Sequence, residues 1–278
     1  MLVITDAVAR RFADSLTERE YSPATISKYA HDLRLLMDYA PNGIPDKAAL
    51  VGFRAYLTER GYAPTSVNSI LGAVNVFLAF LGSDWRFKYL RVQRKTFLPA
   101  DKELSYKEYE RMVHTAERGG NKRLALLVQT LCSLGLRVSE LKAITVESLQ
   151  NGEATIQNKG KLRTILIPRA LAKKLADYCA ERGIVSGSVF VNRTGKPLDR
   201  SNIWKMLKKL AEAAKVLAKK VFPHNLRHLF ARTHYDRFRD LARLADILGH
   251  SSIETTRIYT ARSGQEERRQ LGQLRLVL

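Results

Sequence analysis

The stretch Ala154-Thr-Ile-Gln-Asn-Lys-Gly-Lys-Leu-Arg-Thr-Ile-Leu-Ile167 decides the fold class, because it interrupts an otherwise helical sequence. Residues 154–157 and 163–167 alternate in polarity or are β-branched, as strands are. Between them, Asn158-Lys-Gly-Lys161 has the composition of a turn. The pattern therefore predicts an antiparallel β-hairpin that carries Lys159 at its tip.

Helical patterns flank this hairpin on both sides. Before it, Leu104-Ser-Tyr-Lys-Glu108 has the spacing of a capping box. A strongly apolar helix runs from Asn121 to about Leu134, where Gly135 breaks it. After the hairpin, helices are predicted at about residues 169–182 and 201–218, from Pro223 onwards, and across most of the chain beyond Asp240.

The first eighty residues predict four helices. Ser22-Pro23 supplies an N-cap and a first-turn proline, and apolar residues recur after it at helical spacing. The four helices begin near Thr5 or Asp6, at Pro23, before Leu50 and near Pro64. We therefore expect a mainly α protein with a small antiparallel β-sheet in its second half.

Composition divides the chain into three parts. Residues 1–82 predict a helical N-terminal domain, residues 83–103 a linker, and residues 104–278 a larger, mixed α/β (α+β) domain. Aromatic and basic residues are interleaved in the linker, so we expect contact with a phosphate backbone, docking of the rings onto the protein itself, or both. The candidate DNA-binding cations there are Arg86, Lys88, Arg91, Arg94 and Lys95.

The charge of the chain indicates a polyanionic partner. Its 278 residues carry a formal net charge of +20, whereas 45% apolar and 27% charged residues are ordinary for a globular protein with a sizeable core. A field of this sign attracts DNA or RNA. An anionic membrane surface is the alternative, but the sequence has no basic amphipathic N-terminal helix, no lipidation signal and no apolar run of membrane-spanning length.

The two cysteines bear on the cellular compartment. Cys132 and Cys179 lie in apolar helical patterns and are expected to be small buried hydrophobic residues. This favours a reducing, cytoplasmic environment, as does an N-terminus without the pattern of a signal peptide. It also excludes a cysteine-based zinc finger.

Residues suited to phosphate chemistry are concentrated in the second domain. Arginine holds a phosphate as a bidentate fork, and the candidates are Arg137 and Arg227. His224 and His250 can move protons, and a tyrosine oxygen such as that of Tyr259 can attack phosphorus. The sequence has no convincing carboxylate cluster for Mg²⁺. These groups therefore predict strand breaking and rejoining without a metal or other cofactor.

These residues also have ordinary structural interpretations. Arg137 could pair with Glu140, which would at the same time orient its guanidinium. The His-x-x-Arg pair could serve an ion pair, and Tyr259 could pack like most tyrosines. A zinc site on His224 and His228 is a weaker alternative, because cysteine or acidic partners are not evident nearby.

Three segments form a recognisable set. They are Gly135-Leu-Arg-Val-Ser-Glu-Leu141, His224-Asn-Leu-Arg-His-Leu-Phe-Ala231 and Leu248-Gly-His-Ser-Ser-Ile-Glu-Thr-Thr-Arg-Ile-Tyr-Thr260. Their order and spacing resemble the signature boxes of the tyrosine recombinases, the family of phage-type integrases, Xer recombinases and Cre. The resemblance covers residues 104–278, and residues 1–82 are similar, less specifically, to the family's SAM-like core-binding domain.

The resemblance implies a role for each matching residue. Arg137 and Arg227 correspond to the arginines that bind the scissile phosphate, and Tyr259 corresponds to the nucleophile. His224 corresponds to the histidine that assists proton transfer at the nucleophile. His250 corresponds to a hydrogen-bond donor to the phosphate.

The family's hairpin lysine, which protonates the departing 5′ oxygen, corresponds to Lys159. The hairpin matches less closely than the boxes, since Asn158 replaces a frequent glycine and the turn is a residue shorter. Lys161 is therefore the alternative general acid, and otherwise a DNA contact. His228 is expected to pack or to support its box.

The resemblance implies a site-specific DNA recombinase that works through a 3′-phosphotyrosyl intermediate and a Holliday junction, without ATP or metal. Its expected partners are duplex DNA with paired inverted repeats and copies of itself in a homotetramer on DNA, with weak association or none in its absence. Residues 262–278 would form an exchange tail that packs on a neighbour or on its own domain. The biological role of the whole recombinase would be Xer-like dimer resolution or the integration and excision of a mobile element. The alternatives are a type IB topoisomerase-like enzyme and a non-catalytic DNA-binding protein.

Overall fold

The computed structural model describes residues 4–43, 47–92, 103–158, 161–250, 252–257, 269 and 272–273. The chain divides into two compact units, residues 1–94 and 95–278. Each unit has its own hydrophobic core. Within the described ranges, no helix is both long enough and apolar enough to cross a membrane.

The first unit contains the four predicted helices. Thr5 caps the first through the N–H of Val8, and Ser22 caps the second through the N–H of Thr25, as the N-cap pattern predicts. Apolar residues from all four helices form one core, in which Phe53 is fully buried. The helices are α1 (Asp6–Glu18), α2 (Pro23–Tyr39), α3 (Lys47–Glu59) and α4 (Pro64–Phe80).

The described part of the linker packs on this first unit. The side-chain amide of Asn75 accepts from the Phe87 N–H at 2.8 Å and donates to the Phe87 carbonyl at 3.2 Å. Asn68 pairs in the same way with Leu90, at 2.7 and 2.9 Å. The Phe87 ring is buried in the core and meets Trp85 edge to face. Docking of the rings onto the protein, one of the two expectations for the linker, is therefore observed for Trp85 and Phe87, whereas Tyr89 is exposed.

The second unit is built around one helix that is buried on nearly all sides. This is α6 (Lys122–Ser133), and a helix that is apolar all round belongs in a core. Cys132 and Cys179 are both buried thiols in this unit, as predicted. The other helices are α5 (Tyr106–Arg118), a 3₁₀ helix (Val138–Ala143), α7 (Val146–Asn151), α8 (Arg169–Arg182), α9 (Arg200–Ala213), a second 3₁₀ helix (Ala218–Lys220), α10 (Pro223–Phe238), α11 (Leu241–Leu248) and α12 (Ile253–Thr256).

The predicted hairpin is present as a two-stranded antiparallel sheet. Strand β1 (Glu153–Asn158) pairs with β2 (Lys161–Leu166), and Asn158 lies opposite Lys161. The strands are thus longer and the turn shorter than the sequence pattern indicates. One face of the sheet is turned to the core, since Ile156 and Ile165 are buried while Leu162 and Leu166 are exposed. The turn residues 159–160 lie outside the described residues.

Helix α9 ends earlier than predicted, at Ala213 instead of residue 218. Lys215 has a φ of +51°, which a continuing helix cannot contain. The N–H of Val216 then returns to the carbonyl of Ala211 at 2.9 Å, closing the helix end. Apolar spacing continues through this stretch in the sequence, so the pattern alone does not reveal the stop.

Candidate active site

Arg227 is a buried cation whose position is fixed by hydrogen bonds. It lies near the start of α10, and its side chain is 1% exposed. Its Nη1 donates to the carbonyl of Gly135 at 2.7 Å, and its Nη2 donates to the carbonyl of Leu248 at 2.7 Å and to Nε2 of His250 at 3.0 Å. A buried charge is tolerated when its donors are satisfied. Arg227 therefore ties all three motif segments together.

Gly135 shapes the turn that presents Arg137. Its φ is +57°, and a Cβ at this position would collide with the ring of Phe230 and lie 3.1 Å from Cδ2 of Leu248. Only glycine suits both this conformation and this space. Arg137 follows at the N-cap of the first 3₁₀ helix, with its side chain 35% exposed.

Glu140 gathers three arginines around one carboxylate. Its Oε1 accepts from Nη1 of Arg137 at 2.8 Å, and its Oε2 accepts from the Arg137 backbone N–H at 2.8 Å. Oε2 also accepts from Nη2 of Arg163 at 2.6 Å and lies 3.8 Å from Nη1 of Arg227. The pair of Arg137 and Glu140 is therefore present, and it orients the Arg137 guanidinium as expected.

The surroundings of Glu140 keep it ionised. Burial alone would raise the pKa of this carboxyl, but the backbone and side-chain N–H groups of Arg137 and the charge of Arg163 outweigh burial and lower the pKa. Three guanidinium groups and one carboxylate sum to a formal charge of +2. The cluster therefore favours an anion such as a phosphate.

Arg163 is a member of this cluster that the sequence analysis missed. It lies on β2 opposite Ile156, its side chain is 14% exposed, and its Nη1 donates to the carbonyl of Ile247 at 2.7 Å. A signal for it exists in the sequence. An arginine two residues before Ile165, on the inward face of an alternating strand, requires a buried partner.

His224 and His228 lie one turn apart on α10. Their ring centroids are 4.6 Å apart at an angle of 82°, so His228 packs edge to face on its neighbour, as expected. Burial, followed by the charges of Arg227 and Arg137, lowers the pKa of His224. Burial, followed by His224 and Arg227, lowers the pKa of His228 to about 4. Both rings are therefore neutral at neutral pH, and a neutral His224 can accept a proton.

His250 is held between Arg227 and Thr256. Its Nδ1 lies 2.7 Å from Oγ1 of Thr256, whose side chain is fully buried. Because a guanidinium can only donate, His250 Nε2 accepts from Arg227, and the ring proton resides on Nδ1. Burial and then the charge of Arg227 lower the pKa of His250 to about 4. In this state the ring of His250 orients Arg227.

Some expected site residues lie outside the described residues. These are Lys159, the nucleophile candidate Tyr259, the linker cations Arg94 and Lys95, and most of the tail. Lys161 belongs to β2, but its side chain is among the parts not described. Of the other linker cations, Arg86, Lys88 and Arg91 are exposed on the first unit.

The described residues contain no candidate metal centre. No group of three or more His, Cys, Asp or Glu side chains that could hold an ion occurs among the residues described. The pair of His224 and His228 therefore has no third ligand within that part of the chain.

Two family models match the chain. The model described as "Phage integrase family" matches residues 102–266, and "Phage integrase, N-terminal SAM-like domain" matches residues 9–84. Tyrosine recombinase XerA of Pyrococcus furiosus is 31% identical over 262 residues, covering 91% of this chain and 88% of the relative. Tyrosine recombinase XerD of Halalkalibacterium halodurans is 31% identical over 267 residues, covering 87% and 88%.

Solved structures agree with these matches. The crystal structure of XerA recombinase is 26% identical with a TM-score of 0.55, covering 99% of this chain and all of that one. XerH bound to its difH substrate is 22% identical with a TM-score of 0.68, covering 94% and 83%. A lambda integrase dimer on a core site is 16% identical with a TM-score of 0.73, covering 92% and 95%. At these lower identities the last two establish likeness of fold.

Proposed function

Since this chain belongs to the phage integrase family and is a tyrosine site-specific recombinase, we propose that Tyr259 is its nucleophile. The phenol oxygen attacks a phosphodiester in duplex DNA, which forms a 3′-phosphotyrosyl bond and releases a 5′-hydroxyl. A 5′-hydroxyl from the partner duplex then attacks this linkage, giving a Holliday junction after the first exchange. The phosphodiester energy is conserved at each step, so the reaction consumes no ATP.

The other site residues are assigned roles according to the charge and the protons that this reaction moves. Arg137 and Arg227 stabilise the negative charge on the pentavalent phosphorus, and removal of one such donor typically slows a reaction by about 10²–10³. His224 accepts the proton of Tyr259, whose ordinary pKa near 10 requires a base. Lys159 protonates the departing 5′ oxygen, with Lys161 as the alternative. His250, which contacts Arg227, donates a hydrogen bond to the phosphate.

The meeting of Arg137 and Arg227 at Glu140 is the observation that carries this proposal. The two arginines are far apart in the sequence and would have no reason to share a carboxylate if each served a separate surface. Their side chains are preorganised, so little reorganisation is needed when charge develops on the phosphate. A non-catalytic DNA-binding protein does not need this arrangement.

The proposed partner is duplex DNA with paired inverted repeats, bound by four copies of the chain. The net charge of +20 supports DNA as the partner, and the exposed Arg86, Lys88 and Arg91 supply phosphate contacts together with Arg94 and Lys95. Residues 262–278 are proposed to exchange between neighbouring copies. Free buried thiols at Cys132 and Cys179 fit a cytoplasmic setting.

A covalent trapping experiment tests the nucleophile. A duplex site would be selected by the protein from a random-sequence library, then nicked near the cleavage point so that the cut fragment diffuses away. The native chain should accumulate a protein–DNA adduct, and Tyr259→Phe should bind the same duplex without forming one. Equal binding with no adduct from either protein would favour the DNA-binding alternative.

The topoisomerase alternative makes a different prediction. A type IB enzyme would relax any supercoiled plasmid as a monomer. We expect strand exchange that depends on the selected site and on pairing of two sites. Relaxation of plasmids without the site, at equal rate, would contradict site-specific recombination.

A further inference from the structure

Arg163 connects the β-hairpin to the phosphate cluster. It is a charged residue on the buried face of β2, 14% exposed, where the neighbouring inward positions hold isoleucines. Arginine is rarely placed so deeply unless its donors are used. Its guanidinium leaves the sheet and contacts two segments that lie far from β2 in the sequence.

The first contact is with the carboxylate that also holds the phosphate-binding arginines. Nη2 of Arg163 donates to Oε2 of Glu140 at 2.6 Å, the same oxygen that accepts the backbone N–H of Arg137 at 2.8 Å. Nη1 of Arg227 lies 3.8 Å from that oxygen. Arg163 therefore shares its carboxylate partner with both arginines.

The second contact is with the turn that precedes His250. Nη1 of Arg163 donates to the carbonyl of Ile247 at 2.7 Å. Gly249 has a φ of +65°, and a Cβ there would lie 2.7 Å from Cδ and 2.9 Å from Nη1 of Arg163. The turn is thus shaped around this side chain, and glycine is required for the close approach.

The hairpin needs such an anchor. A two-stranded hairpin is only marginally stable by itself, so its strands depend on contacts with the rest of the domain. In the observed register Arg163 pairs with Ile156, and Asn158 pairs with Lys161. Lys159 follows Asn158 directly, so the turn lysine lies only a few residues beyond the anchored position.

We infer that Arg163 is a positioning residue for protonation of the leaving oxygen: it holds the hairpin, and with it the turn lysine, in register with Arg137 and Arg227. The inference rests on the proposed function and adds a residue outside the three motif segments. Arg163 acts through Glu140 and the Ile247 carbonyl and touches no reacting atom. The forked guanidinium of arginine is needed because it donates to two acceptors in different directions, the Glu140 carboxylate and the Ile247 carbonyl.

The test compares two leaving groups on the selected, nicked duplex. One duplex carries the natural 5′ oxygen at the cleavage point, and the other carries sulfur at that bridging position. A thiol is far more acidic than an alcohol (the cysteine pKa is about 8.5), so the sulfur departs as an anion and needs no proton from the enzyme. Only a defect in delivering the proton is relieved by this change.

Arg163→Met in the full chain should cleave the oxygen substrate about 10²-fold more slowly than the native chain, as expected for a displacement of about 1 Å in a catalytic group. On the sulfur substrate the difference should shrink to less than tenfold. Lys159→Ala should show the same pattern. Arg118→Met, which removes an exposed cation at the end of α5, should match the native chain on both substrates.

Two results would overturn the inference while leaving the proposed function intact. They are an equal defect of Arg163→Met on both substrates and the absence of any defect. A native chain that forms no adduct with either substrate would instead overturn the proposed function, and this inference with it. If thermal unfolding shows that Arg163→Met is not folded, Arg163→Lys replaces it in the comparison, since lysine keeps the charge and lacks the fork.

Discussion

Three guanidinium groups depend on the charge of one residue, Glu140. Its replacement by glutamine preserves size but leaves Arg227 and Arg163 buried without their counter-ion. Breaking a buried pair from one side typically costs about 3–5 kcal/mol. We expect Glu140→Gln to lower the free energy of unfolding of the second unit by about 3 kcal/mol, measured by urea denaturation.

An exposed glutamate provides the matched control. Glu181 pairs with Lys122 on the surface, where both side chains are about half exposed. Exposed pairs contribute about 1 kcal/mol or less, so Glu181→Gln should leave the unfolding midpoint nearly unchanged. Equal losses from the two variants would show that Glu140 has no special electrostatic role.

The candidate site residues that lie in a sequence motif could be predicted from the sequence. Arg137, His224, Arg227 and His250 lie in such motifs, and the structure brings them around one cluster. Arg163 lies in none. Its partners, Glu140 and Ile247, are set by tertiary packing, which no local pattern specifies.

His228 on helix α10 makes the free energy of unfolding dependent on pH. The pKa of His228 falls from an ordinary 6.5 to about 4 in the folded chain, through burial and then the charges of His224 and Arg227. Between these values the unfolded chain binds more protons than the folded one. Stability is therefore complete above about pH 6.5 and declines as the pH falls toward 4. We expect the urea midpoint to be lower at pH 5 than at pH 7.5.

Substitution of His228 isolates this effect. His228→Gln should reduce the difference between the midpoints at pH 5 and pH 7.5, because one of the groups with a lowered pKa is gone. His114 is exposed on α5 beside Glu117, so His114→Gln should keep the full difference. A His228→Gln chain with an unchanged pH dependence would contradict the assignment.

Element starts were more predictable than element ends. Ser22 and Ser105 act as N-caps where the sequence indicates them, since a side-chain cap is a local interaction. The predicted end of α9 is wrong by five residues, because the left-handed conformation of Lys215 is imposed by the fold. The hairpin is confirmed, but Asn158 and Lys161 are paired in its strands, whereas the sequence pattern assigns both to the turn.

At the scale of the whole molecule, charge should govern affinity for DNA. The linker cations Arg86, Lys88 and Arg91 are exposed while Phe87 anchors the segment. Replacing the three cations by alanine should weaken binding to any duplex by a similar factor. Each lost phosphate contact should also flatten the slope of log affinity against log salt by about 0.9. Binding isotherms at several salt concentrations measure both effects.

A second triple variant separates local contact from overall charge. Lys107, Arg111 and Arg118 are exposed on α5, and their replacement by alanine removes the same formal charge. We expect a smaller change in slope from this variant. Equal slopes would mean that the linker cations contribute only to the general field of the protein.

The backbone carbonyls that hold Arg227 have a consequence for synthesis of the protein. Two carbonyls accept hydrogen bonds from this guanidinium, one from Gly135 and one from Leu248. Leu248 follows Arg227 in the sequence, so the ribosome adds the second acceptor after the arginine. We therefore expect a chain that ends before Leu248 to lack one of the two carbonyls that hold Arg227, and to show no strand cleavage.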